Sequence, residues 1–392
     1  MPIYDRDMKL PNRNKKQFIF PIGYHKFHRN KLFNFQLNRW YSFGYARFED
    51  LVKAGKLINS FDDWKREMIE LAELAINEKM LLRAAFYYRA AEFYLLDDVS
   101  EKTQLYEKFN HLFYEAIQSD NIEKLTVPYA EACLSVIKVS PTGIKKGIIV
   151  LHGGFDSFVE EFYSLMRYFA DHGYEVIAFE GPGQGAARRQ YDLAFDIEWE
   201  KPVKSVLDHL DLNDVTLLGI SMGGWLCLRA AAFESRITRV IATGHAIDYM
   251  KSMNALFYWL HMWLYTKHKD FMSRLTEKKL LRNKESISGW MVRHLMYITK
   301  KDKPLDALET YLLMNEQNIH SELISQDVLL LLGKGDHFIP FKMLDMQATA
   351  LTNAKSVTTR SFTKKEHAQN HCQVGNIGLS LDVMVKWLEE LS

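Results

Sequence analysis

Three short segments carry residues whose types and spacing could break a covalent bond. GISMGG at 219–224 follows a predicted strand and opens a predicted helix. A serine there, Ser221, sits on a tight strand-to-helix turn with its Oγ above the C-terminal edge of a sheet. Glycines flank it because side chains would collide in so sharp a turn. The helix N-terminus behind it favours developing negative charge. HGGF at 152–155 follows the apolar run GIIVL at 147–151. Backbone N–H groups in such a turn can face the space above Ser221 and, with the N–H of Met222, form an oxyanion hole. Gly154 is the first candidate donor and Phe155 the alternative. LGKGDHFIP at 332–340 sets Asp336 just past a buried strand, where an acid can turn toward a histidine.

A base must complete the set, and on turns of this kind the chain order is serine, acid, histidine. His337, His367 and His371 follow Asp336. His337 adjoins the acid and cannot easily reach across to it. His367 and His371 both lie in EHAQNHCQVGN at 366–376, after the strand expected at 356–362. His371 is preferred because it lies nearer the final helix, and His367 is the alternative base. The chemistry this implies is acyl transfer. His371 removes the Ser221 proton, the alkoxide attacks a carbonyl carbon, Asp336 orients the imidazole, and water releases the acyl group.

Other segments carry less. His367 and His371 have the i, i+4 spacing of two zinc ligands, but the Glu of H-E-x-x-H is absent, so no metal is expected. GPGQG at 181–185 matches neither a dinucleotide nor a P-loop fingerprint, so no cofactor is expected and the segment reads as a tight loop beside the site. Asp156, Glu160 and Glu161 are expected to cap and charge the first turn of a helix. Cys372 follows no strand-to-helix elbow, so it is not read as a nucleophile.

The elements that must position these residues follow from periodicity. Phe61, Trp64, Met68, Leu71 and Ala75 step by 3 and 4, as do Leu81, Ala84, Tyr88, Ala91 and Leu95. Ser60 supplies an N-cap to the first of these stripes. Residues 1–120 therefore read as a helical unit, opened by a basic arm over 1–22. Strands at 127–133 and 134–139 come next. From 121 to 392 short apolar runs at 147–151, 175–179, 214–218, 237–242, 327–332 and 356–362 alternate with amphipathic helices. That alternation indicates an α/β fold, a mostly parallel sheet covered on both faces. The segment 247–322 is too long for a crossover and reads as a helical insertion. Its aromatic and Met-rich start, and its 11 Lys+Arg against 4 Asp+Glu over 266–303, suit either a lid over the site or an oligomer interface.

Composition sets the outer bounds. Of 392 residues 47% are hydrophobic and 25% charged, as in globular chains. A net charge of +1 argues against general nucleic-acid binding. The apolar stretch at 255–265 is too short to span a membrane, and the N-terminus has no signal-peptide pattern. Three scattered cysteines read as free thiols of a reducing, cytoplasmic compartment.

Over about 125–392 the chain resembles the α/β-hydrolase superfamily, on HGG, GPGQG, GISMGG, GKGDHFIP and the late histidine. FNFQLNRW at 33–40, YYRAAEF at 87–93, GPGQG and HCQ at 371–373 look like the acylaminoacyl-peptidase-like group, which includes pseudooxynicotine hydrolase and the fermentation–respiration switch proteins. The resemblance implies an α/β-hydrolase fold, a helical N-terminal cap, a homodimer, and a small-molecule or short-peptide substrate. Relatives often carry Glu where this chain has Ala186, so no role transfers to that position. The group spans peptidase-like, ester and carbon–carbon hydrolysis. The expectation is therefore a serine hydrolase of an ester or amide. The alternatives are a carbon–carbon hydrolase of a diketone-like substrate, or a regulatory protein whose triad is idle.

Overall fold

The computed structural model describes residues 18–96, 99–249, 251, 263, 267–282 and 286–391. Most of the expected basic arm and most of the aromatic stretch at 255–265 lie outside the described residues. The strands are β1 (Ile122–Tyr129), β2 (Ala132–Val139), β3 (Gly147–His152), β4 (Tyr174–Phe179), β5 (Val215–Ile220), β6 (Ile237–Thr243), β7 (Asp327–Gly333) and β8 (Ser356–Phe362). They form one sheet in the order β1-β2-β4-β3-β5-β6-β7-β8. β1 and β2 pair antiparallel, β2 meets β4 antiparallel, and β3 through β8 run parallel. The antiparallel hairpin turns earlier than its apolar pattern suggested. Its turn, at Ala130 and Glu131, contains neither Gly nor Pro, and Ala130 takes a left-handed φ of +50°.

The parallel strands are buried on both faces, and successive residues divide between two cores. Ile149, Leu151, Val176, Ala178, Leu329 and Leu331 join one apolar cluster; Val150, Ile177, Phe179, Val328, Leu330 and Leu332 join the other. That is the two-residue period of a strand with helices on either side. The helices Glu200–His209, Met222–Ala231 and Lys342–Ala350 cover the second face, while Tyr163–Asp171 and Ile377–Glu390 cover the first.

Five N-terminal helices extend the first core: α1 (Lys31–Ser42), α2 (Phe48–Leu57), α3 (Phe61–Asn77), α4 (Leu81–Phe93) and α5 (Val99–Ala116). α3 forms as its pattern requires. The Ser60 side chain accepts from Asp63 N at 3.0 Å, and Trp64, Met68, Leu71 and Ala75 are buried. α4 departs from its expected stripe. Every residue from Ala84 to Phe93 is buried, including Arg89 and Glu92, and Leu95 falls beyond the helix. A helix enclosed on all sides has no single apolar face to read.

The enclosed charges of α4 are paired. The Glu92 carboxylate meets Arg89 of its own helix, Lys102 of α5 and Arg189 at the end of the short helix Gly185–Arg189 that follows β4. Burial opposes ionisation of Glu92, but the three cations outweigh it and push its pKa down to about 2. Its contribution to stability is therefore present above its ordinary value of 4.5 and is lost as pH falls from there toward 2. Glu92→Ala leaves the cations without their partner and is expected to cost about 3–5 kcal/mol in urea unfolding at pH 7. Glu92→Gln is expected to flatten the acid limb of the wild-type stability curve. An unchanged unfolding midpoint in both variants would contradict this assignment.

Candidate active site

The loops at the C-terminal ends of β3, β5, β7 and β8 gather the residues singled out above. β3 and β5 are parallel neighbours, with His152 opposite Gly219. The connection from β3 runs to β4 on one side while that from β5 runs to β6 on the other, and such a switch point opens a crevice for a ligand.

Ser221 stands between β5 and the helix Met222–Ala231 with φ +61° and ψ −127°. Its N–H donates to the Thr243 carbonyl of β6 at 2.8 Å, and its own carbonyl accepts from Gly224 N at 2.8 Å. The turn is tight enough to require glycine on both sides. A Cβ on Gly219 would enter the Gly223 carbonyl, and one on Gly223 would stand 2.5 Å from the Gly153 oxygen.

Asp336 lies in the loop after β7, its side chain fully buried. Oδ1 accepts from the backbone N–H groups of Phe338 and Ile339, both at 2.9 Å. Oδ2 lies 2.8 Å from His371 Nδ1, and His371 Nε2 lies 2.8 Å from Ser221 Oγ. A carboxylate can only accept, so Nδ1 carries the proton and the Nε2 lone pair accepts from the Ser221 hydroxyl. Burial opposes charging of His371, but the Asp336 carboxylate together with the neighbouring Cys372 sulfur outweighs it and holds the imidazole well above its ordinary value of 6.5.

The chain folds sharply around that imidazole. Cys372 and Gln373 have φ +49° and +55°, and Gln373 accepts from Thr243 Oγ1 at 2.8 Å through Oε1. The base loop is thereby tied to the same β6 residue that holds Ser221 N. His367 ends the short turn Lys364–Glu366 with φ +59° and does not line the cavity. His337 packs its ring against Phe35 and Phe338, at centroid distances of 4.8 and 4.1 Å.

Gly154 abuts the serine turn, where a Cβ would stand 2.8 Å from Met222 N. The N–H groups of Gly154, Phe155 and Met222 meet no acceptor among the described residues. Above Ser221 and His371 lies a cavity of about 310 Å³. Its walls are mainly apolar and come from α1 (Phe35), the loop after β3 (Phe155) and the insertion (Trp290, Leu308, Tyr311). Arg39 and Asp156 also face it, with Arg39 NH1 3.4 Å from the carboxylate. Sequence reasoning missed Phe35, Arg39 and Trp290 as wall residues, because no local signal marks a contact made across the fold. Asp156, Glu160 and Glu161 do more than cap a helix. Glu161 pairs with Arg39 and Arg89, Glu160 accepts from Tyr114 at 3.0 Å, and Asp156 reaches the cavity. Among the described residues no group of three His, Cys, Asp or Glu is gathered that could hold a metal ion, and no helix is long and apolar enough to cross a membrane.

The His371–Asp336 contact has a direct spectroscopic consequence. The His371 imidazole, followed by NMR, is expected to titrate above 6.5, and Asp336→Asn is expected to lower that midpoint by removing the anion while burial remains. A midpoint unmoved by the substitution would show that Asp336 does not set the charge of the ring.

Comparison with known proteins adds the family. Residues 147–367, more than half of the chain, match the family model described as the alpha/beta hydrolase fold. The hydrolyase poxO of Penicillium oxalicum is 31% identical over 249 residues, which cover 53% of this chain and 59% of that protein. The alpha/beta hydrolase psoB of Aspergillus fumigatus is 26% identical over 283 residues, covering 63% and 60%. The chain thus spans about six tenths of the length of these curated relatives. Among solved structures, wild-type AbyA5 superposes with a TM-score of 0.69 at 17% identity, over 92% of this chain and 95% of that one. The 2,6-dihydroxy-pseudo-oxynicotine hydrolase superposes with 0.65 at 22%, over 90% and 94%. At such identities the likeness concerns the fold alone. From the family match and this topology, the chain belongs to the alpha/beta hydrolase fold family.

Proposed function

We propose that the chain is a serine hydrolase that cleaves an ester or amide through an acyl-enzyme on Ser221. The observation that carries this reading is the unbroken hydrogen-bonded line from Asp336 through His371 to Ser221 Oγ at the floor of a cavity. His371 Nε2 takes the Ser221 proton as Oγ attacks the carbonyl carbon. The carbonyl oxygen becomes an oxyanion, held by the N–H of Met222 and by Phe155 or Gly154. The intermediate collapses, His371 returns the proton to the leaving group, and the acyl group stays on Oγ. Water, deprotonated by the same imidazole, then releases the acid. The apolar walls favour a substrate whose acyl portion is largely apolar.

Cleavage of a carbon–carbon bond in a diketone-like substrate is the second reading. Arg39 favours it, because a buried guanidinium on the cavity wall can hold the enolate that such a cleavage expels.

A fluorophosphonate probe is expected to label the wild-type protein and to leave Ser221→Ala unlabelled. An unlabelled wild type would instead indicate an idle triad. In a panel of p-nitrophenyl esters, acyl-amino-acid anilides and β-diketones, turnover of the first two classes supports the first reading, and turnover of diketones alone rejects it. Only neutral His371 can accept the proton, so kcat/KM is expected to rise with pH through a midpoint above 6.5. Asp336→Asn is expected to lower kcat by about 10⁴-fold while the protein stays folded.

A further inference from the structure

The loop after β3 is held by three side chains from three separate parts of the chain. Gln184, in the loop after β4, donates through Nε2 to the carbonyls of Gly153 and Gly154, at 3.0 and 2.9 Å. Its Oε1 accepts from Gly181 N at 3.1 Å, so each amide atom has the partner its chemistry requires. His294, on the insertion helix Ile287–Thr299, has Nε2 2.9 Å from the Phe155 carbonyl. A carbonyl only accepts, so Nε2 is the protonated nitrogen of this ring. Arg89 of α4 donates to the Asp156 carbonyl. Four consecutive carbonyls, 153 through 156, are therefore fixed from outside the loop.

A trans peptide points its carbonyl and its N–H in opposite directions. Fixing the carbonyls of Gly153 and Gly154 on Gln184 turns the N–H groups of Gly154 and Phe155 away from it. His294 fixes the next peptide plane, so Phe155 is constrained on both of its sides. The insertion helix is itself docked. Trp290, one turn before His294, stacks on that imidazole at 5.2 Å and donates through Nε1 to the Phe93 carbonyl at 3.3 Å. Gln184 and His294 are both buried, at 5% and 8% exposure, and neither lines the cavity. They do not touch a substrate held there.

We propose that Gln184 and His294 are positioning residues that aim the Phe155 N–H at the oxyanion, and that His294 thereby makes the oxyanion hole depend on the docked insertion. The inference rests on the serine-hydrolase reading. Burial holds His294 down to about 4, so its ring is neutral across the physiological range and its Nε2–H donates throughout.

The test uses the full chain with His294→Phe, which keeps a stacking ring without the donor, His294→Gln, which restores an N–H near the same place, and Gln184→Met. A trifluoromethyl ketone adds to the serine and builds the oxyanion, so it reports the hole directly. His294→Phe and Gln184→Met are expected to lose about 10- to 100-fold in kcat, somewhat less than deleting a donor outright. KM is expected to stay within about 3-fold, and the ketone Ki to rise by the factor by which kcat/KM falls. His294→Gln is expected to recover most of the loss. A merely structural role would lower the folded fraction and raise KM without matching the ketone Ki, and that outcome overturns the proposal. If His294→Phe does not fold, Gln184→Met decides by the same readouts. Ser221→Ala separates the two claims. If it is inactive while His294→Phe and Gln184→Met match wild type, the positioning claim alone falls; if it retains turnover, the serine-hydrolase reading falls and takes the positioning claim with it.

Discussion

Ser221 adopts φ +61° and ψ −127°, a conformation that costs an L-residue about 1–3 kcal/mol and persists only where the surroundings over-determine it. Here they do. β5 is a buried strand between β3 and β6, so the chain arrives at Ser221 along a fixed line. The Thr243 carbonyl holds its N–H, and Gly219 and Gly223 let the backbone close with no Cβ in the way. The loop after β3 rests against this turn through Gly153 and Gly154. The base loop is tied to the same place, since Thr243 also donates to Gln373 beside His371. One strained residue thus fixes where the hydroxyl points, where the neighbouring amides lie, and where an imidazole can meet it.

The elements above the sheet do more than cover it. α1 brings Phe35 and Arg39 to the cavity, and the insertion brings Trp290 and Tyr311. Arg39, Arg89, Glu92, Glu161 and Arg189 form a buried charge network that joins α1 and α4 to the loops after β3 and β4. Withdrawing so many charges from water is unfavourable unless every one is paired. The network therefore sets geometry: one docked arrangement satisfies all partners, and a displaced one strands several. Apolar contacts, not these ions, supply the driving force, because the same apolar cluster runs from the N-terminal helices into the sheet.

Much of this was legible because the signals were local. Buried parallel strands appear as unbroken apolar runs, so β3 through β8 fell close to their expected places. The serine turn and the acid loop each carry glycines at fixed spacing. Chain position favours His371 over His367, but the left-handed backbone at Cys372 and Gln373 that folds the chain around its ring leaves no local signal, because these two residue types rarely adopt it. Periodicity predicts a single stripe for α4 because it assumes a solvent side, which that helix lacks from Ala84 to Phe93. Asp156, Glu160 and Glu161 sit where helix-capping acids belong, and their partners Arg39, Arg89 and Tyr114 are far away in sequence. Gln184 was legible only as part of a tight loop beside the site, and His294 gave no signal, since a buried donor to a backbone carbonyl leaves no pattern.

The central claim is that a covalent bond forms between Ser221 Oγ and the substrate's acyl carbon. It is tested most directly by quenching the protein in acid within the first turnover of a slow ester, digesting it and weighing the peptides. The account predicts a mass increase equal to the acyl group on the peptide bearing Ser221, appearing at the rate of the initial burst and decaying with hydrolysis. Product release in the first turnover with that peptide unmodified throughout, or with the acyl group on another residue, would contradict it.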